Sequence, residues 1–143
     1  MKNVLAKKTF LGLWLLLVVL PGCGGSDRPK TYPATGKVIY RGQPVPDAEV
    51  TFVPTKGPMA SGKTDAQGQF QLSTFSPNDG AVAGEYTVLV VKKEKYVDPR
   101  APSSPYEMYR NLLPARYSSL QTSPLKATIK PESPNQLTLE LTD

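Results

Sequence analysis

Ala48-Glu49-Val50-Thr51-Phe52-Val53 is the stretch on which the fold turns. In an extended chain Ala48, Val50 and Phe52 share one face and Glu49 and Thr51 the other, the period of two expected of a half-buried strand. Pro54 ends it, having no N–H to offer a neighbouring strand. Upstream, Lys37-Val38-Ile39-Tyr40 reads as a strand that turns at Arg41-Gly42-Gln43-Pro44. Downstream, strands at Ala60 to Thr64 and at Gln69-Phe70-Gln71-Leu72 flank the turn Asp65-Ala66-Gln67-Gly68. Glu85 to Lys92 is the most apolar run, which predicts a central strand covered on both faces. Leu125 to Lys130 and Gln136 to Leu141 alternate strictly, and the turn Pro131-Glu132-Ser133-Pro134-Asn135 joins them. Seven strands punctuated by turn residues about every eight to twelve positions predict an all-β sandwich over residues 34–143.

One segment breaks this rhythm. Residues 93–124 hold Pro99, Pro102, Pro105, Pro114 and Pro124 together with Tyr96, Tyr106, Tyr109 and Tyr117. Ser104-Pro105-Tyr106-Glu107 has the form of a capping box with proline at the first helical position, which predicts a short helix from Pro105 to about Leu113. Its apolar face needs a cover: the protein's own sheet, or a partner. On the second reading, Tyr96, Tyr106, Tyr109 and Tyr117 form a surface for a glycan or a protein. At about 0.5–1.5 kcal/mol per aromatic contact, several tyrosines must act together.

The chain begins with Lys2, Lys7 and Lys8 and no acid, followed by an apolar run from Thr9 to Leu20. As a helix that run spans about 18 Å, too short for a bilayer core of about 30 Å. A positive stretch before a short apolar one reads as a secretory signal over residues 1–22. Leu20-Pro21-Gly22-Cys23 resembles the lipobox of bacterial lipoproteins, although Pro21 stands where a small or β-branched residue is usual. The resemblance implies cleavage before Cys23 and acylation at Cys23, which would hold the protein on the membrane, with residues 23–33 as a flexible tether. Gly24 after the cysteine resembles outer-membrane sorting, so the expected location is the periplasm or the cell surface. Trp14, the sole tryptophan, would leave with the signal.

The net charge of +5 comes from 17 basic and 12 acidic residues. Removing Lys2, Lys7 and Lys8 leaves 14 against 12, or +2, and takes away the argument for a nucleic-acid partner. The absence of histidine removes the commonest base and metal ligand. A single cysteine excludes an internal disulfide and a cysteine-built zinc site.

Four elements occur in order over residues 35–92: Thr35-Gly36-Lys37-Val38, Gly42-Gln43-Pro44-Val45-Pro46-Asp47-Ala48-Glu49-Val50, Thr64-Asp65-Ala66-Gln67-Gly68-Gln69-Phe70 and Ala83-Gly84-Glu85-Tyr86-Thr87-Val88. Together they resemble the carboxypeptidase regulatory-like, transthyretin-like domain. Asn111 to Tyr117 and Ser123-Pro124-Leu125 resemble what small bacterial envelope lipoproteins of this group carry before their last two strands. The resemblance implies a seven-stranded Greek-key sandwich with an accessory, adhesive or structural role.

Gly57-Pro58-Met59-Ala60-Ser61-Gly62-Lys63-Thr64 fits the P-loop expression letter for letter. A true P-loop opens a helix aimed at phosphate, whereas an alternating strand follows here, so no nucleotide is expected. Ser123-Pro124-Leu125-Lys126 fits S-x-x-K, which needs a helix to place both side chains on one face; in a strand they point apart. Among Asp65, Asp79, Glu85, Asp98 and Glu107 no sequence spacing forms a hydrolytic pair, and neither the Asp65 turn nor Asn78-Asp79-Gly80 approaches the ligand count of a calcium loop. Lys92-Lys93-Glu94-Lys95 reads as a solvated strand end. The expectation is a non-catalytic envelope protein without cofactor or metal, displaying a structural or interaction sandwich. The alternative is a glycan- or protein-binding module that uses the 93–124 loop.

Overall fold

The structure, a computed structural model, describes residues 27–132 and 134–143; the leader 1–22 with Trp14, and Cys23, lie outside the described residues. Twelve strands run through the described residues: β1 (Thr31–Tyr32), β2 (Ala34–Tyr40), β3 (Gln43–Pro44), β4 (Glu49–Pro54), β5 (Ala60–Lys63), β6 (Gln69–Gln71), β7 (Ala81–Val82), β8 (Gly84–Val91), β9 (Lys93–Tyr96), β10 (Met108–Asn111), β11 (Lys126–Ile129) and β12 (Asn135–Leu141). A strand stands at each of the seven predicted places; β1, β3, β7, β9 and β10 are additional.

Two four-stranded sheets enclose the core. One has the antiparallel order β11-β8-β4-β5. In the other, β2 pairs in parallel with β12 along its whole length and antiparallel with β6 and β3 on its other edge. The alternation of β4 holds, with Ala48, Val50 and Phe52 buried. The Phe52 ring lies 6.2 Å from that of Phe70 on the opposite sheet and 5.8 Å from that of Tyr86. β8 is central in its sheet but is not covered on both faces: Tyr86, Val88 and Val90 are buried, Thr87, Leu89 and Val91 only half-buried, and Glu85 exposed. Antiparallel neighbours need no crossover helices on the outer face, so that face stays open to solvent.

The turns follow their residues. Arg41 and Gly42 both have positive φ (52° and 77°), the conformation that lets a two-residue hairpin follow strand twist between β2 and β3. Gly68 (φ 76°) has no room for a side chain: a Cβ there would stand 2.9 Å from the Val38 carbonyl oxygen. The turn after β11 carries the chain from one sheet to the other rather than closing a hairpin. Asn135 holds it, its carboxamide accepting from Lys130 N and donating to the carbonyls of Lys130 and Glu132.

The predicted helix from Pro105 to Leu113 is absent. Met108–Asn111 is β10, paired antiparallel with β9, and the helix among the described residues is a 3-10 turn at Ala115–Ser118. Glu107 does not reach back to cap residue 104; its carboxylate bonds Lys95 across the hairpin and the Tyr109 hydroxyl. A helix this short is marginal in water, and cross-strand partners outside its reach prevail. The ordered pairing also begins earlier than residue 34: Thr31 and Tyr32, inside the expected 23–33 tether, pair with Val82 and Ala81.

Candidate functional site

The β9–β10 hairpin continues the line of β8 past the end of β4, where Glu49 pairs with Val91. It is a two-stranded sheet of its own, with all four β10 residues exposed. Strand parity sorts its side chains. Tyr96, Met108, Glu94 and Arg110 share one face, with the Arg110 guanidinium 5.8 Å from the Tyr96 ring centroid and bonded to Glu94. Lys95 and Tyr109 share the other face, where the Tyr109 hydroxyl donates to Glu107. That bond keeps the Tyr109 proton in place and raises its pKa, while the Lys95 ammonium beside Glu107 holds the carboxylate below its ordinary range. The tip, residues 97–107, is a run of turns around a cup of about 250 Å³, with Asp98 accepting from Arg100 N and Tyr106 81% exposed.

The four candidate tyrosines therefore do not form one surface. Tyr106 and Tyr109 are exposed and Tyr96 is half-buried, on the face opposite Tyr109. Tyr117 is buried, contrary to its expected place in a ligand surface. Its 3-10 turn packs against β8, and its hydroxyl accepts from Thr142 N at 2.8 Å beyond the end of β12. Burial pushes the Tyr117 pKa up, but the bonds from Thr142 and Arg116 outweigh it and leave the phenol below its usual range. With Leu113, also buried, Tyr117 belongs to the core. The 93–124 segment thus divides: Leu113, Tyr117 and Ser123 anchor its second part in the core, and the residues of 93–111 are exposed or half-buried.

The motif residues hold the fold. Gly62 and Lys63 lie in β5, followed by a turn and strand β6. The Thr64 hydroxyl accepts from Ala48 N at 2.8 Å and donates to Val45 O at 2.7 Å, both buried. Lys63 pairs with Asp47 at 3.4 Å at the surface. Ser123 is buried and donates to Val88 O, while Lys126 bonds the Thr87 hydroxyl. Asp65 accepts from Gln67 N and Gln69 N in its own turn. Asp79 accepts backbone N–H bonds from Thr74, Phe75 and Ser76. Among the described residues no three His, Cys, Asp or Glu side chains gather as a metal cage requires, and no helix is long and apolar enough to cross a membrane.

A feature that strand periodicity alone did not single out is a cleft of about 880 Å³ on the outer face of β6, β2 and β12. Thr35, Lys37, Gln69, Gln71, Gln136 and Thr138 line it, with Lys63, Asp65, Ser73 and Asn78 at its side. Alternation marks these residues as outward-facing; their assembly depends on β12 pairing in parallel with β2, residues about a hundred positions apart.

No family model matches this chain, and no curated protein is similar to it. Among solved structures it is similar to a 9R-lipoxygenase from Cyanothece PCC8801, at 16% identity and a TM-score of 0.39. The similarity covers 80% of this chain and 16% of that one, so the chain spans less than a fifth of the lipoxygenase's length.

Proposed function

We propose that the chain is a non-catalytic, lipid-anchored envelope protein that displays a transthyretin-like Greek-key sandwich. The observation that carries this reading is the sole cysteine, Cys23, placed directly after an apolar leader and eight residues before the first strand at Thr31. The order of the four sequence elements, and strands at each of the seven expected places, support the sandwich assignment. Commitment of Thr64 and Ser123 to buried backbone bonds supports a role without catalysis.

Topology adds an orientation. β1 pairs with β7 immediately before β8 begins, and β8 then runs eight residues, about 25 Å, to the root of the hairpin. A chain held at Cys23 would present the β9–β10 hairpin on the side away from the bilayer. A second reading, favoured by the exposure of Val97, Tyr106, Met108 and Tyr109, makes that hairpin the contact for another envelope protein.

Membrane-extracted protein is expected to begin at Cys23 and carry acyl mass on it, and Cys23→Ala is expected to release the domain from membranes. Recovery of unmodified soluble protein with residues 1–22 attached would overturn the anchor.

A further inference from the structure

The outer face of β6, β2 and β12 differs in chemistry from the β9–β10 hairpin. Parallel pairing sets Gln136 beside Thr35 and Thr138 beside Lys37, and antiparallel pairing sets Gln71 and Gln69 on the other flank of the same two residues. Two cross-strand rows result, Gln71-Thr35-Gln136 and Gln69-Lys37-Thr138. The side chains step about 4.8 Å from strand to strand, and the rows lie about 6.6 Å apart.

On the β9–β10 hairpin and the adjoining end of β4 the charges pair: Lys93 with Glu49, Lys95 with Glu107, Arg110 with Glu94. Here three carboxamides and two hydroxyls surround a single lysine. Among the described residues none of these six side chains makes a hydrogen bond, whereas the fold uses Asn135, Thr64 and Ser123 fully. Each carboxamide offers both donor and acceptor, as a sugar hydroxyl requires.

We propose that this cleft binds a neutral polysaccharide chain lying across the three strands. The six side chains line one open depression of about 880 Å³, and the strand-to-strand step of about 4.8 Å is comparable to the repeat of one pyranose in a 1,4-linked chain. Charge argues for neutrality: Lys63 is paired with Asp47, which leaves Lys37 against Asp65. An acidic polymer finds no cluster of cations there. A peptide finds no apolar pocket, since Phe70 beneath the face is buried. The divided tyrosines of the hairpin offer no comparable array. This site stands independently of the anchor and of the hairpin's role.

The test is a pull-down of the full chain, solubilised in a polyoxyethylene detergent free of sugar headgroups, on cellulose, chitin and insoluble α-1,4-glucan. Retention is expected on at least one, with elution by its soluble oligosaccharide. Gln71→Ala with Gln136→Ala is expected to weaken retention about tenfold or more, each amide contributing about three- to tenfold, without moving Tm. Tyr106→Ala with Tyr109→Ala is expected to leave retention unchanged. No retention on any of the three, retention unaffected by the glutamine pair, loss on changing the tyrosine pair, or preference for polygalacturonate would each overturn the proposal.

Discussion

The Thr64 hydroxyl joins the start of β4 to the turn before β6 by satisfying two buried backbone groups, Ala48 N and Val45 O. Thr64→Val keeps the volume and leaves both groups unpaired, at about 1–3 kcal/mol each. Urea unfolding is expected to show a loss of about 2 kcal/mol or more, with Thr64→Ser closer to the parent. Lys63→Ala, which removes an exposed ion pair, is expected to stay within about 0.5 kcal/mol. The neighbouring residues of one motif thus separate by burial alone. Asp79 acts in the same way with a charge. Partial burial pushes its pKa up, but N–H bonds from Thr74, Phe75 and Ser76 outweigh this and lower it. A carboxylate held below its unfolded value contributes stability above about pH 4 and loses it as the pH falls through the folded value. Asp79→Asn is therefore expected to be less stable by about 1–2 kcal/mol at pH 7, with the gap narrowing at lower pH in denaturation curves measured across that range.

Among the elements, the β9–β10 hairpin is the part that local signals misassigned. Ser104-Pro105-Tyr106-Glu107 has every residue of a capping box, and the spacing of Met108 and Leu112 suits a helix as well as a strand. The deciding contacts, Lys95 with Glu107 and Arg110 with Glu94, join residues 12 and 16 positions apart, beyond any helical window. A two-stranded ribbon with no packed face is marginal on its own. Amide exchange is accordingly expected to be fastest in β9 and β10 and slowest in β8 and β4; protection in the hairpin equal to β8 would refute the view that it stands free. Tyr106→Ala and Tyr109→Ala are expected to change stability by less than about 0.5 kcal/mol, whereas Tyr117→Ala, emptying a buried site, is expected to cost about 3–5 kcal/mol. Thermal melts of the three variants separate the tyrosines that pack from those that do not.

At the scale of the whole molecule, the two sheets meet through Phe52, Phe70 and Tyr86, and the chain changes sheet at the Asn135 turn. Alternation located the strand segments because burial of one face imposes period two on residues only two apart. Turn positions were legible for the same reason: Gly42 and Gly68 are needed for local φ. The proposed leader and anchor at Cys23 rest on sequence alone, as a charge step, an apolar run and one thiol. Pairing is different, since nothing local says that β12 lies parallel to β2, that Tyr117 closes the core while Tyr109 does not, or that three glutamines and two threonines come together. Those outcomes rest on hydrogen bonds and packing between residues up to about a hundred positions apart, where the partner, not the residue, sets the environment. Strand segments were thus legible from residues two apart in the chain, whereas which side chains are buried and which stay exposed followed from pairings between distant strands.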